Sequence, residues 1–416
     1  MRIRRLKIND FRGIGKLELE FGERINILVG DNGAGKSRIL DSIAILLSWL
    51  FGRIRSKRGP GRYPKELDIT NGKKWTSITI AIVFRGQEIE WTVGKSRRGI
   101  FKEAITNLQA LNSLVDQIHL KLETDTEMDM PLGVYYTVNR AVLDVPLRIR
   151  HKHSFDQLTA YDQALTGGRN DFRLFFEWFR RREDLENETR LEQFNYRDPQ
   201  LEAVRKAIQS FLPGFSDLRV KRSPLRMTLS KEGEELIINQ LSDGEKCLLA
   251  LVCDLARRLA IANPSRNNPL EGDAVVMIDE VDLHLHPSWQ RTVVPNLKRT
   301  FPFCQFVLAT HSPQILSHVE DAESIFLLRC VEGEIVASHP ESTYGLDTNY
   351  ILEVLMGVPE RPEETKAALS SLFLLIDEGK LRKARSQLEK LRKKIGTTPE
   401  LTKAEVLIHR KETLGR

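Results

Sequence analysis

Apolar and polar residues alternate at the start of the chain. Ile3, Leu6 and Ile8, then Leu17, Leu19 and Phe21, mark half-buried antiparallel strands. The run Ile25-Asn26-Ile27-Leu28-Val29 is nearly all apolar and predicts a strand covered on both faces. It passes into a glycine-rich turn and then an apolar helix from Ile39 to Phe51. Residues 53–74 are basic and rich in Gly and Pro, which predicts a surface loop. Residues 77–93 predict a two-strand hairpin turning at Arg85-Gly86-Gln87. Between 155 and 212 the period changes. Aromatic and charged residues mix there and LEAVRKAIQSFL is amphipathic, so a helical insertion is expected. Residues 273–279 and 303–310 return to buried-strand composition. From about residue 348 the chain reads as helical and highly charged.

These patterns predict an α/β protein with a mixed sheet core, an N-terminal antiparallel sheet, a helical insertion and a helical C-terminal tail. The expected divisions are a first lobe at 1–154, the insertion at 155–212, a second lobe at 213–347 and the tail at 348–416. The composition, 41% hydrophobic and 29% charged over 416 residues, is that of a globular chain with ample core. The net charge of +6 permits contact with nucleic acid without establishing it. The four cysteines, Cys247, Cys253, Cys304 and Cys330, form no CxxC pair. That argues against a disulfide framework and suits a reducing compartment. MRIRRLKI has no apolar signal core, and the Ile39–Phe51 stretch is too short to span a bilayer. A cytoplasmic protein without membrane partners is expected.

The strongest chemical signal is Gly30-Asp31-Asn32-Gly33-Ala34-Gly35-Lys36-Ser37, a complete GxxxxGK[ST] loop between a strand and a helix. Asn32, Gly33 and Gly35 belong to the turn whose backbone N–H groups face phosphate oxygens. Lys36 neutralises phosphates, and the Ser37 hydroxyl is a magnesium ligand. The cofactor pair expected is ATP with Mg2+. Ala274–Ile278 followed by Asp279 and Glu280 has the form of a Walker B strand. Asp279 would hold the metal through water, and Glu280 would polarise the attacking water. Leu241-Ser242-Asp243-Gly244-Glu245 opens an apolar helix. Ser242, Gly244 and Glu245 read either as an anion-binding turn or as a simple capping box. His311 follows the next buried strand and is a candidate γ-phosphate sensor. Arg12, in Asp10-Phe11-Arg12-Gly13, is either a nucleotide contact or an exposed strand-end arginine. Asn139 follows the Tyr135-Tyr136 strand, where it is a candidate ligand to magnesium or its water.

The order of these motifs over residues 1–313 resembles the ABC-type ATPase heads of the RecF, SMC and OLD proteins. That resemblance implies an ABC-ATPase fold, with Asp282–Pro287 as the D-loop and Leu241–Lys246 as the signature. The signature would complete the ATP site of a second copy, so a homodimer or higher even oligomer is implied. VYYTVNRAVLDVPLRIR, FRLFFEWFRRREDLENE, LSDGEKCLLALVCDLARRLAIANP, IDEVDLHLHPSWQR and YGLDTNYILEVLMG resemble the PtuA-type ATPases of Septu and retron anti-phage systems. The narrower resemblance implies a separate PtuB-like HNH nuclease subunit. In retron settings it implies a reverse transcriptase and its nucleic acid. OLD proteins carry a Toprim nuclease domain. Asp321, Glu323, Glu332 and Glu334 read here as scattered on loops before a helical remainder, so no intrinsic nuclease is expected.

The resemblance therefore implies a regulatory ATPase of a defence complex. The alternative is a RecF/SMC-like repair or DNA-organising ATPase that binds duplex DNA. A transporter subunit fits least, because of the insertion and the tail. Basic residues bear on direct DNA contact. They occur at Arg53–Arg62, at Arg148–His153, and in the tail at Lys380, Arg382, Lys383, Arg385, Lys390, Arg392, Lys393 and Lys394. They read either as a phosphate-binding groove or as solvated faces balanced by acids.

Overall fold

The computed structural model describes residues 1–98, 106–125, 128–138, 156–166 and 172–413. Asn139 and the basic cluster Arg148–His153 lie outside the described residues. The chain divides into two compact units, Met1–Thr348 and Asn349–Arg416.

In the first unit, β1 (Arg2–Phe11) and β2 (Ile14–Glu20) alternate buried and exposed positions. They join the hairpin β4 (Trp75–Phe84) and β5 (Gln87–Ser96) in an antiparallel sheet ordered β2-β1-β4-β5. β3 (Ile25–Gly30) is buried from Ile25 to Val29 and belongs to a second, six-stranded sheet. With β6 (Leu132–Tyr136), β10 (Ala274–Ile278), β11 (Cys304–Thr310), β12 (Ile325–Val331) and β13 (Glu334–Ser338), its order is β13-β12-β3-β11-β10-β6. All neighbours in that sheet are parallel except β12 and β13. Registers of Thr310 opposite Val29, Leu308 opposite Ile278 and Ile278 opposite Tyr136 bring four strand ends to a common edge. Ligands of open parallel sheets bind at that edge.

Helix α1 (Lys36–Arg55) leaves β3 and runs further into the predicted 53–74 loop than its composition suggests. That loop is also not purely superficial. Asp68 is buried, and Ser48 and Trp49 of α1 hold the Arg62 backbone. Helix α2 (Gln109–Thr124) follows β5. The insertion consists of α3 (Phe172–Glu192) and α4 (Pro199–Phe211), preceded by a short 3-10 turn at Gln157–Tyr161. α3 buries Phe172, Phe175, Phe176, Trp178 and Phe179 on one side. Its buried Glu186 takes a bidentate bond from Arg205 of α4 at 3.0 and 2.9 Å, the fork geometry that guanidinium favours. Two features departed from the patterning. Residues 215–237 form a three-stranded sheet of β7 (Phe215–Arg222), β8 (Leu225–Lys231) and β9 (Glu234–Ile237). The segment after His311, expected to be loops and helices, supplies β12 and β13. A four-residue apolar run such as Ile325–Leu328 does not distinguish strand from helix by periodicity, and here pairing with β3 decides.

Helix α5 (Asp243–Ala262) is buried almost throughout. Its Asp254 accepts from Arg257 at 2.8 Å, Arg258 at 2.7 Å and the Tyr136 hydroxyl at 3.0 Å. Arg258 also donates to the Ala160 and Asp162 carbonyls. Burial would push the Asp254 carboxyl up, but the two guanidiniums hold it far below the usual carboxylate range. Helices α6 (Pro287–Thr300) and α7 (Pro313–Leu316) complete the first unit, and α8 (Thr348–Tyr350) lies where the chain passes to the second. The second unit packs α9 (Glu363–Asp377), α10 (Leu381–Ile395) and α11 (Pro399–Thr413) around its own core, including Leu372, Ile376, Leu388, Leu401 and Ile408.

Removing Asp254 strands two buried cations. Asp254→Ala is expected to destabilise the first unit by about 3–5 kcal/mol. All five tryptophans lie in that unit, so urea denaturation followed by tryptophan fluorescence reads it selectively. Because the folded-state carboxyl is depressed, wild-type stability from this group is complete above the unfolded value near 4. It is lost as pH falls below that toward the folded value. An Asp254→Ala chain as stable as wild type would exclude this role.

Candidate nucleotide site

The loop after β3 is shaped by close approach. A Cβ on Gly30 would lie 2.4 Å from the Leu328 carbonyl oxygen of β12, and one on Gly35 would meet Ile335 Cδ1 at 2.7 Å. Gly35 also sits at φ +96°, a conformation that side chains rarely adopt. Gly33 has nothing within 4 Å of a built Cβ, so the loop is open on that side. Asn32 and Ser37 are exposed, and Ser37 stands in the first turn of α1. Lys36 is buried and donates to the carbonyls of Gly30 at 2.7 Å and Asp31 at 3.1 Å. Burial lowers its pKa, and the charges of Asp279, Asp31, Glu280 and Asp282 oppose that shift.

Asp279 and Glu280 leave the end of β10. The Asp279 backbone N–H donates to Tyr136 at 2.8 Å, and Val281 N–H donates to Ala309 at 2.9 Å. These bonds fix the acids against β6 and β11. Glu280 adopts φ 46°, the left-handed region, which is costly for a residue with a side chain and clusters at functional sites. Asp282 accepts from the Thr310 hydroxyl, which also receives Ser312 N–H at 2.9 Å. His311 therefore emerges from a turn tied to the Walker B segment. Burial and the Lys36 charge hold its imidazole below the ordinary histidine value, while Asp282, Glu280 and Asp31 oppose. Lys36, Asp279, Glu280 and His311 are thus brought together at one sheet edge.

Ser242, Gly244 and Glu245 form a second constellation. Ser242 is exposed and caps α5, and both halves of the capping box are present. Glu245 accepts from Ser242 N–H at 2.8 Å and pairs with Lys231 at 2.7 Å. Burial pushes its carboxyl up, yet Lys231 and Ser242 hold it below the usual value. A Cβ on Gly244 would stand 2.5 Å from the carbonyl oxygen of His284, which is exposed at φ 60°. The start of α5 is therefore packed directly against the backbone at His284.

Arg12 has protein partners. Its guanidinium bonds Asp68 at 2.7 Å and Asp41 of α1, and it lies 5.0 Å over the Phe11 ring. The two carboxylates engage its Nε and Nη1. The pairings of Asp41 and Asp68 with Arg12, of Asp282 with Thr310 and of Tyr136 with Asp254 were not read from the sequence. The paired residues are between 28 and 118 positions apart, so no local pattern reports them.

A family model described as "AAA domain" matches residues 5–214, and a second, described as "AAA domain, putative AbiEii toxin, Type IV TA system", matches 143–317. The "Retron Ec83 probable ATPase" of Escherichia coli is 32% identical over 428 residues, covering 88% of this chain and 78% of that one. The chain belongs to the AAA-domain ATPase family that includes this retron ATPase. "Septu protein PtuA" of Bacillus thuringiensis is 26% identical, covering 86% and 85%. "DNA replication and repair protein RecF" of Clostridioides difficile is 21% identical, covering 81% and 98%. The SMC head domain of Thermotoga maritima aligns at TM-score 0.45 and 17% identity, covering 82% of this chain and 100% of that chain. Among the described residues no helix is long and apolar enough to cross a membrane.

In this retron-type ATPase, Lys36→Met is expected to weaken ATP binding at least tenfold, about 1.4 kcal/mol or more. Equilibrium titration with a fluorescent ATP analogue measures it. The same change removes a cation facing His311, so the His311 midpoint by NMR should rise from its depressed wild-type value. An unmoved midpoint would place Lys36 and His311 in separate environments.

Proposed function

We propose that this ATPase is the nucleotide-switched subunit of an anti-phage defence complex. In this reading two copies close head to head around two ATP molecules, and the closed pair controls a separate HNH nuclease. The observation that carries the pairing is the division of the site. Lys36, Asp279, Glu280 and His311 converge at the sheet edge, whereas Ser242 and His284 stand exposed on a different turn. The exposed N-terminus of α5 is suited to an anion presented by another molecule. The likeness to a retron ATPase and to a Septu protein supports the defence setting.

The residues fit magnesium nucleotide. Gly33 leaves room beside the loop, Ser37 offers a hydroxyl, and Asp279 presents a carboxylate that is 5% exposed at the strand end. Magnesium, held by Ser37 and Asp279, would supply charge neutralisation at the phosphates. Glu280 acts as the acceptor that polarises water, in a backbone conformation held by its neighbours. His311 would donate a hydrogen bond to the terminal phosphate. The turn at Ser242 and Gly244, at the start of α5, would close the site from the second copy. Loss of the terminal phosphate then removes the bridge between copies, a differential interaction that shifts the population toward open heads.

The mass of Glu280→Gln with and without ATP tests the pairing, alone and co-expressed with the neighbouring gene. Expected are ATP-dependent even oligomers and a complex carrying the nuclease. Gly244→Ala should keep ATP binding but lose at least about tenfold in turnover. A Glu280→Gln chain that stays monomeric at saturating ATP sinks the shared site. Paired heads that ignore the neighbour but bind duplex DNA would favour the RecF-like alternative.

A further inference from the structure

The C-terminal unit carries a charge pattern that the ATPase site does not use. Helix α10, LRKARSQLEKLRKKI, contains seven cations and one acid. Several of the cations are spent within the bundle. Arg385 pairs with Glu412 at 3.0 Å, Arg392 with Glu405, and Lys394 with Glu364 at 3.1 Å. Arg382, Lys383, Lys390 and Lys393 are exposed, and among the described residues their side chains have no ion-pair or hydrogen-bond partner.

At about 100° per residue these four fall within roughly 100° of arc, spread over about 16 Å of helix. The buried Ala384, Leu388 and Leu391 occupy the opposite side. The core therefore fixes which way the cations point. Ser386, Glu389 and Lys394 are the remaining residues near that face; all three are exposed, and Lys394 is the one paired with Glu364.

We propose that this face of α10 binds the phosphodiester backbone of a nucleic acid. The choice of partner follows from what the face contains. Four unspent cations in a row match a regularly charged polyanion, whose binding is driven by counterion release. A protein partner would need an apolar centre, and this face has none. Insertion into a bilayer needs a free apolar side, and that of α10 is consumed by the bundle core. The face lacks aromatic side chains for base stacking, so contact to the backbone and little sequence preference are expected. The inference is independent of head pairing, because it uses no residue of the nucleotide site.

The test uses the full chain. Fluorescence anisotropy measures binding to labelled single-stranded and duplex DNA of about 20 nucleotides per strand across a salt series. The wild-type chain is expected to bind with affinity that falls steeply with salt. The combined variant R382Q/K383Q/K390Q/K393Q should bind at least about tenfold more weakly near 0.15 M salt. Its log–log salt slope should be shallower by about 3, at 0.7–0.9 per phosphate contact. K383R/K390R/K393R keeps the charge and should retain binding, and ATP turnover should be unchanged in both variants. Absence of wild-type binding overturns the proposal, as does equal binding by the glutamine variant. Competition by polyglutamate or anionic vesicles as effective as by DNA would reassign the face to an acidic protein or a membrane.

Discussion

The parallel register of β3, β11, β10 and β6 is the constraint on which the site depends. Thr310 lies opposite Val29, and Leu308 opposite Ile278, so the strands end together. A shift by one residue would turn every alternating side chain to the other face. It would also move Asp279 and His311 out of reach of Lys36. The bonds from Asp279 N–H to Tyr136 and from Val281 N–H to Ala309 continue that register beyond the strands. The strained backbone at Glu280 persists because it sits between these two anchors.

The same register ties the two constellations of one chain together. Tyr136 accepts the Asp279 N–H through its carbonyl and donates its hydroxyl to Asp254 of α5. The helix that opens at Ser242 is therefore bound to the strand edge that presents Asp279. Gly244 adds a contact at the other end, against the His284 carbonyl. Buried ionic groups such as Asp254, Arg257 and Arg258 contribute little net stability against an apolar core, but they allow few alternative arrangements. Here the arrangement they hold places the signature turn relative to the acids of the same chain.

The insertion and the C-terminal bundle illustrate two ways charge is used. In the insertion, buried Glu186 is satisfied by the bidentate fork of the half-buried Arg205, and that fork geometry makes the pairing specific. On α10 the charges are exposed, and single ion pairs there add little to stability. Their arrangement on one face is set by the apolar residues beneath, and so records a surface rather than a fold requirement.

Motifs whose chemistry needs neighbouring residues were legible in the sequence. The loop Gly30–Ser37, the apolar strand ending in Asp279 and Glu280, and the cap at Ser242 each carry their reason within a few positions. So do the hairpin at Arg85-Gly86 and the helical composition of the insertion and tail. β12, β13 and the sheet at 215–237 were not legible, because short strands take their identity from the partner they pair with. The partners of Arg12 were hidden for a related reason: Asp41 and Asp68 approach it only after α1 and the 53–74 loop pack against β1. The sequence by itself determined the local chemistry and the class of nucleotide loop. Only the tertiary structure decided which groups face one another, since a charge or hydrogen bond acts through distance in space and not along the chain.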